Sequence, residues 1–237
     1  MPRKLSLTEQ AYRRLHDDLL TCRLAPGAKI NIKEVAESRG FSLGAVREAL
    51  SRLGSEGFVT FDESRGFRAA PMSVDDLIDL VAVRSDVEGQ CLRRAIACGD
   101  LAWEGAIASA AHRLSRTPVR RDGHLNDDYA AAHADFHAAL VAACDSPWLL
   151  RLRHWLYAQS ERYRYLTAPG MPQDRDLAAE HAELAEATLT RDADRAVAAL
   201  AAHLQKTAGL LAEQARSGAG LPVPEPAVAR IARAGRN

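Results

Sequence analysis

Four of the eight histidines in this 237-residue chain have types and spacing that could do chemistry together. His133 and His137 are four apart in YAAAHADFHAAL, so both project from one face of a helix. His181 opens HAELAEATL 44 residues further on, and His203 lies 22 beyond that in AAHLQKTAGLL. Neutral imidazoles on three packed helices can converge on one transition metal and leave coordination positions open for water or a ligand. The same spacing describes a partly buried polar stripe on an Ala-rich helix, so spacing alone leaves both readings open. A hydrolytic metal centre also needs a general base beside an activated water. Glu180 and Glu183 are the nearest candidates in sequence, and their spacing is not diagnostic. No nucleophile–base arrangement and no glycine-rich phosphate loop accompanies them.

The elements that must hold these residues read as helices. After Pro71-Met72, Ser73 caps a long helix from Val74 to about Cys98, with Asp75 and Asp76 in its first turn. Helices follow over Trp103–Arg116, Asp128–Cys144, Pro147–Thr167, Arg175–Thr190 and Asp192–Arg216, separated by polar or Pro- and Gly-containing breaks. Six helices in about 145 residues predict an all-α bundle over 72–216. Residues 217–237, rich in Gly, Pro and Arg, are expected to be a disordered tail.

The first 71 residues follow a different plan. A helix from about Leu7 to Cys22 is stopped by Leu24-Ala25-Pro26-Gly27, and a short helix over Ile32–Arg39 ends at Gly40. Ser42 caps a third helix reaching about Glu56. Then GFVTFDESRGFRAAP, residues 57–71, reads as the one strand pair, turned by DESRG. Helix, short helix, tight turn, helix, hairpin is the order of a winged helix-turn-helix, so the fold class is mainly α with this module joined to the bundle.

In such a module the N-terminus of the third helix enters the major groove. That places Ser42, Leu43 and Ala45 at the groove and Arg47 within reach of a guanine edge or a phosphate. Arg65 and Gly66 fall in the wing turn, and Lys33 and Arg52 complete the expected DNA-facing set. For any single Arg the alternative is surface cover, with Arg47 and Arg52 pairing to Glu48 and Glu56. Charge agrees with the division. The net charge is zero overall, but residues 1–70 hold 12 Lys and Arg against 9 Asp and Glu, whereas 71–215 hold 15 against 21. A basic head on an acidic body fits a DNA-binding module joined to something else.

Composition bounds the rest. With 47% hydrophobic and 26% charged residues the chain can build ordinary cores. It has no apolar run near the roughly 18–20 residues that cross a bilayer and no signal-like N-terminus, so a cytoplasmic protein without membrane contact is expected. The four cysteines, Cys22, Cys91, Cys98 and Cys144, are scattered and read as reduced thiols, with Cys91 and Cys98 fitting apolar packing.

Residues 27–59, GAKINIKEVAESRGFSLGAVREALSRLGSEGFV, resemble the N-terminal domain of the GntR family of regulators, with VREAL at 46–50 the most specific piece. Phe41 and Ala45 depart from the usual residues there. Residues 73–215 resemble the all-helical FCD effector domain of the family's FadR-like branch, through Val83, Arg84 and Glu88, the FHAAL of 136–140, the Glu-His of 180–181, residues 191–196 and the late His203. The turn Cys144–Trp148 followed by ERYR is similar to the CsiR-like subgroup. The resemblance implies a repressor that binds a palindromic operator as a homodimer and is released by a small carboxylate, a short dicarboxylate by the subgroup. It also implies a divalent metal held by His133, His137, His181 and His203, where the family's Asp is here His133. Asp135 faces roughly the opposite side of the helix and is no substitute. Four imidazoles favour zinc, or nickel, over manganese. Arg84 is the implied carboxylate partner, and Arg162, Tyr163 and Arg164 could add charge and a hydroxyl. The competing readings are a metal-dependent enzyme with an appended nucleic-acid module, and an architectural DNA-binding protein without a ligand.

Overall fold

The computed structural model describes residues 5–121, 124–167 and 175–214. The expected tail over 217–237 lies outside the described residues. The chain divides into two compact units: residues 5–73 with Glu161–Leu166, and Val74–Ser160 with 167–214.

In the first unit α1 (Leu7–Leu20) packs on α3 (Leu43–Ser55), with α2 (Ile32–Arg39) between them in sequence. Ala11, Leu15 and Leu19 of α1 and Val46, Ala49, Leu50 and Leu53 of α3 are all fully buried, which is the i, i+4 and i, i+3 spacing of two facing apolar stripes. Each helix starts on a side-chain cap: Ser6 accepts from Glu9 N, Asn31 from Lys33 N and Ser42 from Ala45 N. Gly40, at φ 68°, ends α2 in the left-handed conformation that a side chain would strain. Strands β1 (Val59–Asp62) and β2 (Gly66–Ala69) pair antiparallel, Val59 opposite Ala69 and Asp62 opposite Gly66. Asp62 Oδ1 closes the turn by accepting from the Ser64 and Arg65 N–H groups at 2.8 and 3.0 Å. The sequence pattern did not reveal the segment beside β2, where Ala28 O accepts from Ala69 N and Ile30 N donates to Phe67 O.

The second unit holds α4 (Val74–Cys98), α5 (Leu101–Ser115), α6 (Asp127–Val141), α7 (Pro147–Thr167), α8 (Leu177–Leu189) and α9 (Ala193–Gln214). Helix α4 packs on α9 and α6, α5 on α6 and α8, and α8 on α9. Leu77, Leu92, Ile107, Phe136, Leu140, Leu184 and Leu200 are its largest fully buried side chains among the described residues, each worth about 1.5–3 kcal/mol of burial. The loop expected over 117–127 contains a two-residue ladder, β3 (Arg120–Arg121) with β4 (His124–Leu125), braced by Asn126 Nδ2 donating to Pro118 O. Cys91 is buried with its thiol pushed up to about 12 by burial, an inert packing residue. Cys98, expected to pack beside it, is exposed.

The expected boundary near residue 71 is crossed in one place. The last turns of α7 belong to the first unit, because Arg162 Nη2 donates to Ala70 O at 2.7 Å and the Ser73 N–H donates to the Tyr163 hydroxyl at 3.2 Å.

A tight contact at the α4–α5 corner gives a stability prediction. A Cβ on Gly99 would stand 2.0 Å from Trp103 Cε3, and Trp103 is buried and donates through Nε1 to Ala139 O. Gly99→Ala should therefore lower stability by about 1–3 kcal/mol, the usual range for overpacking. Urea unfolding measures it, and an unchanged midpoint would mean that Trp103 moves freely.

Candidate metal centre and nucleic-acid interface

The four histidines meet. His133 and His137 come from α6, His181 from α8 and His203 from α9, with 0–6% of each exposed. One ring nitrogen from each lies within 4.8 Å of the other three, and ring centroids are 4.5 Å apart for His133–His137 and 4.7 Å for His181–His203. His137 is fully buried, and neither of its ring nitrogens has a hydrogen-bond partner among the described residues. Burial, followed by the charges of His203, His181, Arg84 and Arg153, holds its pKa well below the usual imidazole value, so it is neutral with a free lone pair. Burial also lowers His203, although its bond to Glu180 opposes that. A closed group of buried imidazoles with an orphaned member fits a transition metal.

Against the cluster lies a second polar group. The Tyr157 hydroxyl is 3.4 Å from His133 Nδ1, and the guanidinium carbons of Arg84 and Arg153 each stand 4.7 Å from the Tyr157 ring centre. Both arginines are buried. Arg84 Nε donates to Glu88 at 2.6 Å and Nη1 to Ser160 Oγ at 2.6 Å, while Arg153 Nε faces the other Glu88 oxygen at 3.6 Å. Nη2 of each arginine has no acceptor among the described residues. Two buried guanidinium groups facing one carboxylate leave a net positive charge and unused donors, the signature of an anion site.

Arg153, Tyr157 and Ser160, at i, i+4 and i+7 of α7, are the face that sequence reasoning missed. Arg84 and Glu88 entered through the family resemblance, and nothing local in α7 sets Arg153 apart from its other arginines. The expectation that Arg162, Tyr163 and Arg164 join Arg84 in holding a carboxylate is corrected. Arg162 and Tyr163 bond to Ala70 and Ser73 in the first unit, and Arg164 pairs with Glu161. The arginine of α7 that stands with Arg84 against Tyr157 and Glu88 comes earlier in the helix, at 153.

Neither candidate base stands free. Glu180 binds His203, Arg175 and Lys206, and Glu183 accepts from Arg195 at 2.7 Å through each oxygen. An apolar cavity of about 390 Å³ opens beside His181, walled by Leu114, Pro118, Val119, Tyr129 and Leu177.

In the first unit Leu43 is 55% exposed at the start of α3 and Arg47 is exposed one turn on, making no ion pair among the described residues. The Ser42 hydroxyl accepts from Ala45 N, which leaves its own proton to donate. Arg65 and Gly66, at φ 75°, form the tip of the hairpin, and Lys33 is exposed with Glu37 3.9 Å away. Two expected contacts are corrected. Ala45 is buried, 6% exposed, so it faces the core rather than a groove. Arg52 stacks 3.6 Å above the Tyr12 ring and pairs with Glu9 and Glu56, so its charge is used within the unit.

Known families carry the same two parts in the same order. The model described as "Bacterial regulatory proteins, gntR family" matches residues 7–68, and the FCD domain model matches residues 79–206, more than half of the chain. The chain belongs to the GntR family of transcriptional regulators. An uncharacterized HTH-type transcriptional regulator of Paraburkholderia xenovorans, BphR, is 39% identical over 205 residues, covering 85% of this chain and 84% of its own. The HTH-type transcriptional repressor GlaR of Escherichia coli is 32% identical over 198 residues, covering 81% and 90%. Among solved structures, Escherichia coli McbR/YncC superposes with a TM-score of 0.74 at 21% identity over 89% of this chain and 99% of that one, a likeness of fold. As a GntR regulator with an FCD domain the chain is a DNA-binding transcription factor and not an enzyme. No described helix is long and apolar enough to cross a membrane.

Proposed function

We propose that this regulator is a homodimeric, cytoplasmic repressor that senses a small dicarboxylate beside a zinc or nickel ion and then leaves its palindromic operator. The observation that carries the reading is the pair of buried arginines, Arg84 and Arg153, with unused N–H groups against a closed set of four imidazoles. Charge selects the ligand class. Arg84 and Arg153 exceed Glu88 by one positive charge. A bound dication supplies a Lewis-acidic site for a carboxylate oxygen. Arg84 and Arg153 would hold the second carboxylate, with Tyr157 beside it as a hydroxyl donor. A dianion offsets this buried charge better than a monoanion. The cavity beside His181 falls in the size range and apolar character of small-molecule pockets, which favours a sensor over an architectural protein.

A ligand can change DNA binding only by preferring one arrangement of the protein. Drawing Arg84 of α4 and Arg153 of α7 together around one anion would favour one packing of those helices. Helix α7 continues into Glu161–Leu166 of the first unit, so the backbone itself carries the displacement. GlaR is named a repressor, and that name supports repression here.

The test joins elemental analysis to operator binding. A selected palindrome would be titrated by fluorescence anisotropy with and without short dicarboxylates and a chelator. Bound zinc or nickel, with a chelator-sensitive loss of operator affinity from one acid, is the expected result. Metal-free protein whose DNA affinity no acid changes would sink the reading.

Leu43, Ser42, Arg47 and the wing tip at Arg65 and Gly66 form the proposed DNA-facing set, with Lys33 as an accessory charge. Arg47→Ala should weaken operator binding by about 1–3 kcal/mol, roughly 5- to 150-fold, and leave the melting midpoint unchanged. Equal affinity of variant and wild type would remove Arg47 from the interface.

A further inference from the structure

A carboxylate is built into the wall behind His203. Glu180 Oε2 accepts from His203 Nδ1 at 2.8 Å, which fixes the tautomer and leaves Nε2 with the lone pair. The carboxylate is itself held from two sides. Arg175 grips both its oxygens, Nε to Oε1 at 3.0 Å and Nη2 to Oε2 at 2.6 Å, and Lys206 Nζ reaches Oε1 at 2.8 Å. Arg175 has only 2% of its side chain exposed and also donates to Thr207 Oγ1 and to the backbone carbonyl of His203. One guanidinium thus fastens the start of α8 to the stretch of α9 that bears the imidazole.

We propose that Glu180 is a positioning residue for metal binding, locking the His203 ring in one orientation and one tautomer. The inference rests on reading the four histidines as a metal centre. A carboxylate hydrogen-bonded to a ligating imidazole raises its basicity and holds the ring in place. Glu88, 1% exposed, pairs with Arg84 and Arg153 rather than with one of the four histidines. Arg175 and Lys206 hold the Glu180 carboxylate in place against His203, which is what such a partner requires.

The test uses the full-length protein, wild type beside Glu180→Gln and Glu180→Ala. Zinc affinity is measured by competition with a chromophoric chelator, and cobalt(II) is substituted to record its visible absorption. Apo melting midpoints are taken in chelator. The expected result is a loss of zinc affinity of about 10- to 100-fold for Glu180→Ala, with Glu180→Gln between it and wild type and its cobalt spectrum shifted. If the alanine protein fails to fold, the near-isosteric glutamine protein carries the measurement. Zinc affinities and cobalt spectra equal to wild type, whatever the apo midpoints do, would overturn the proposal and reduce Glu180 to a structural ion pair. Wild-type protein that binds neither metal would overturn the metal reading itself, an outcome distinct from the first.

Discussion

His137→Ala is expected to abolish high-affinity metal binding while leaving the apo protein about as stable as wild type. The two effects separate because of where the side chain sits. His137 has no exposed surface, and both its ring nitrogens are buried without partners among the described residues. An unsatisfied buried polar atom costs about 1–3 kcal/mol. Removing two of them offsets most of the cavity penalty of about 2–5 kcal/mol that deleting a large buried side chain normally brings. A group kept at such a disadvantage in the apo protein is explained if it is satisfied by a metal. In the holo protein the variant loses one of four donors, and zinc affinity should fall by at least roughly 100-fold, the upper end of what even the partners of ligating side chains contribute. Elemental analysis and calorimetry with and without chelator measure both halves. A variant that keeps its metal would exclude His137 from the centre, and one that unfolds in the apo state would make the imidazole an ordinary core residue.

The helical period explains both what could be read from the sequence and what could not. His133 and His137 share a face in any helix, so their pairing is visible in the spacing. Bringing His181 and His203 to the same point depends on how α8 and α9 pack on α6, and only the family resemblance carries that. Arg84 is legible in the same way. Arg153 is not, because α7 has arginines at 151, 153, 162 and 164, and nothing local distinguishes the buried ones. The closely spaced Arg162 and Arg164 draw the eye, whereas tertiary packing turns that segment to Ala70 and Ser73. Ala45 fails for a related reason. It sits in the first turn of α3 with Leu43 and Ser42, but its face of the helix packs inward. Arg52 is the reverse case, where the bland alternative of pairing with Glu56 describes the structure, and Tyr12 and Glu9 complete it. Caps are legible at Ser42 and missed at Asp100, where an ordinary loop residue accepts from Trp103 N and starts α5 two residues early.

Glu88→Gln tests the proposed anion site at its other end. Glu88 is 1% exposed and is the counter-charge for two buried guanidinium groups. The amide keeps the shape and one acceptor but removes the charge, leaving Arg84 and Arg153 uncompensated around Tyr157. Breaking a buried ion pair from one side costs about 3–5 kcal/mol, because the surviving charge stays desolvated. For a chain of this size that is a fall in melting midpoint on the order of 10 °C. Replacing Arg84, Arg153 and Glu88 together by methionine should be far milder, since removing both signs removes the penalty. The sign of the ligand effect is the sharper test. A dianion that binds Arg84 and Arg153 supplies the negative charge that the Glu88→Gln change takes away, so it should raise the variant's midpoint more than it raises the wild type's. A monocarboxylate should do so less. Equal shifts in both proteins would mean that the acid binds elsewhere, and a variant as stable as wild type would mean that water already compensates the arginines.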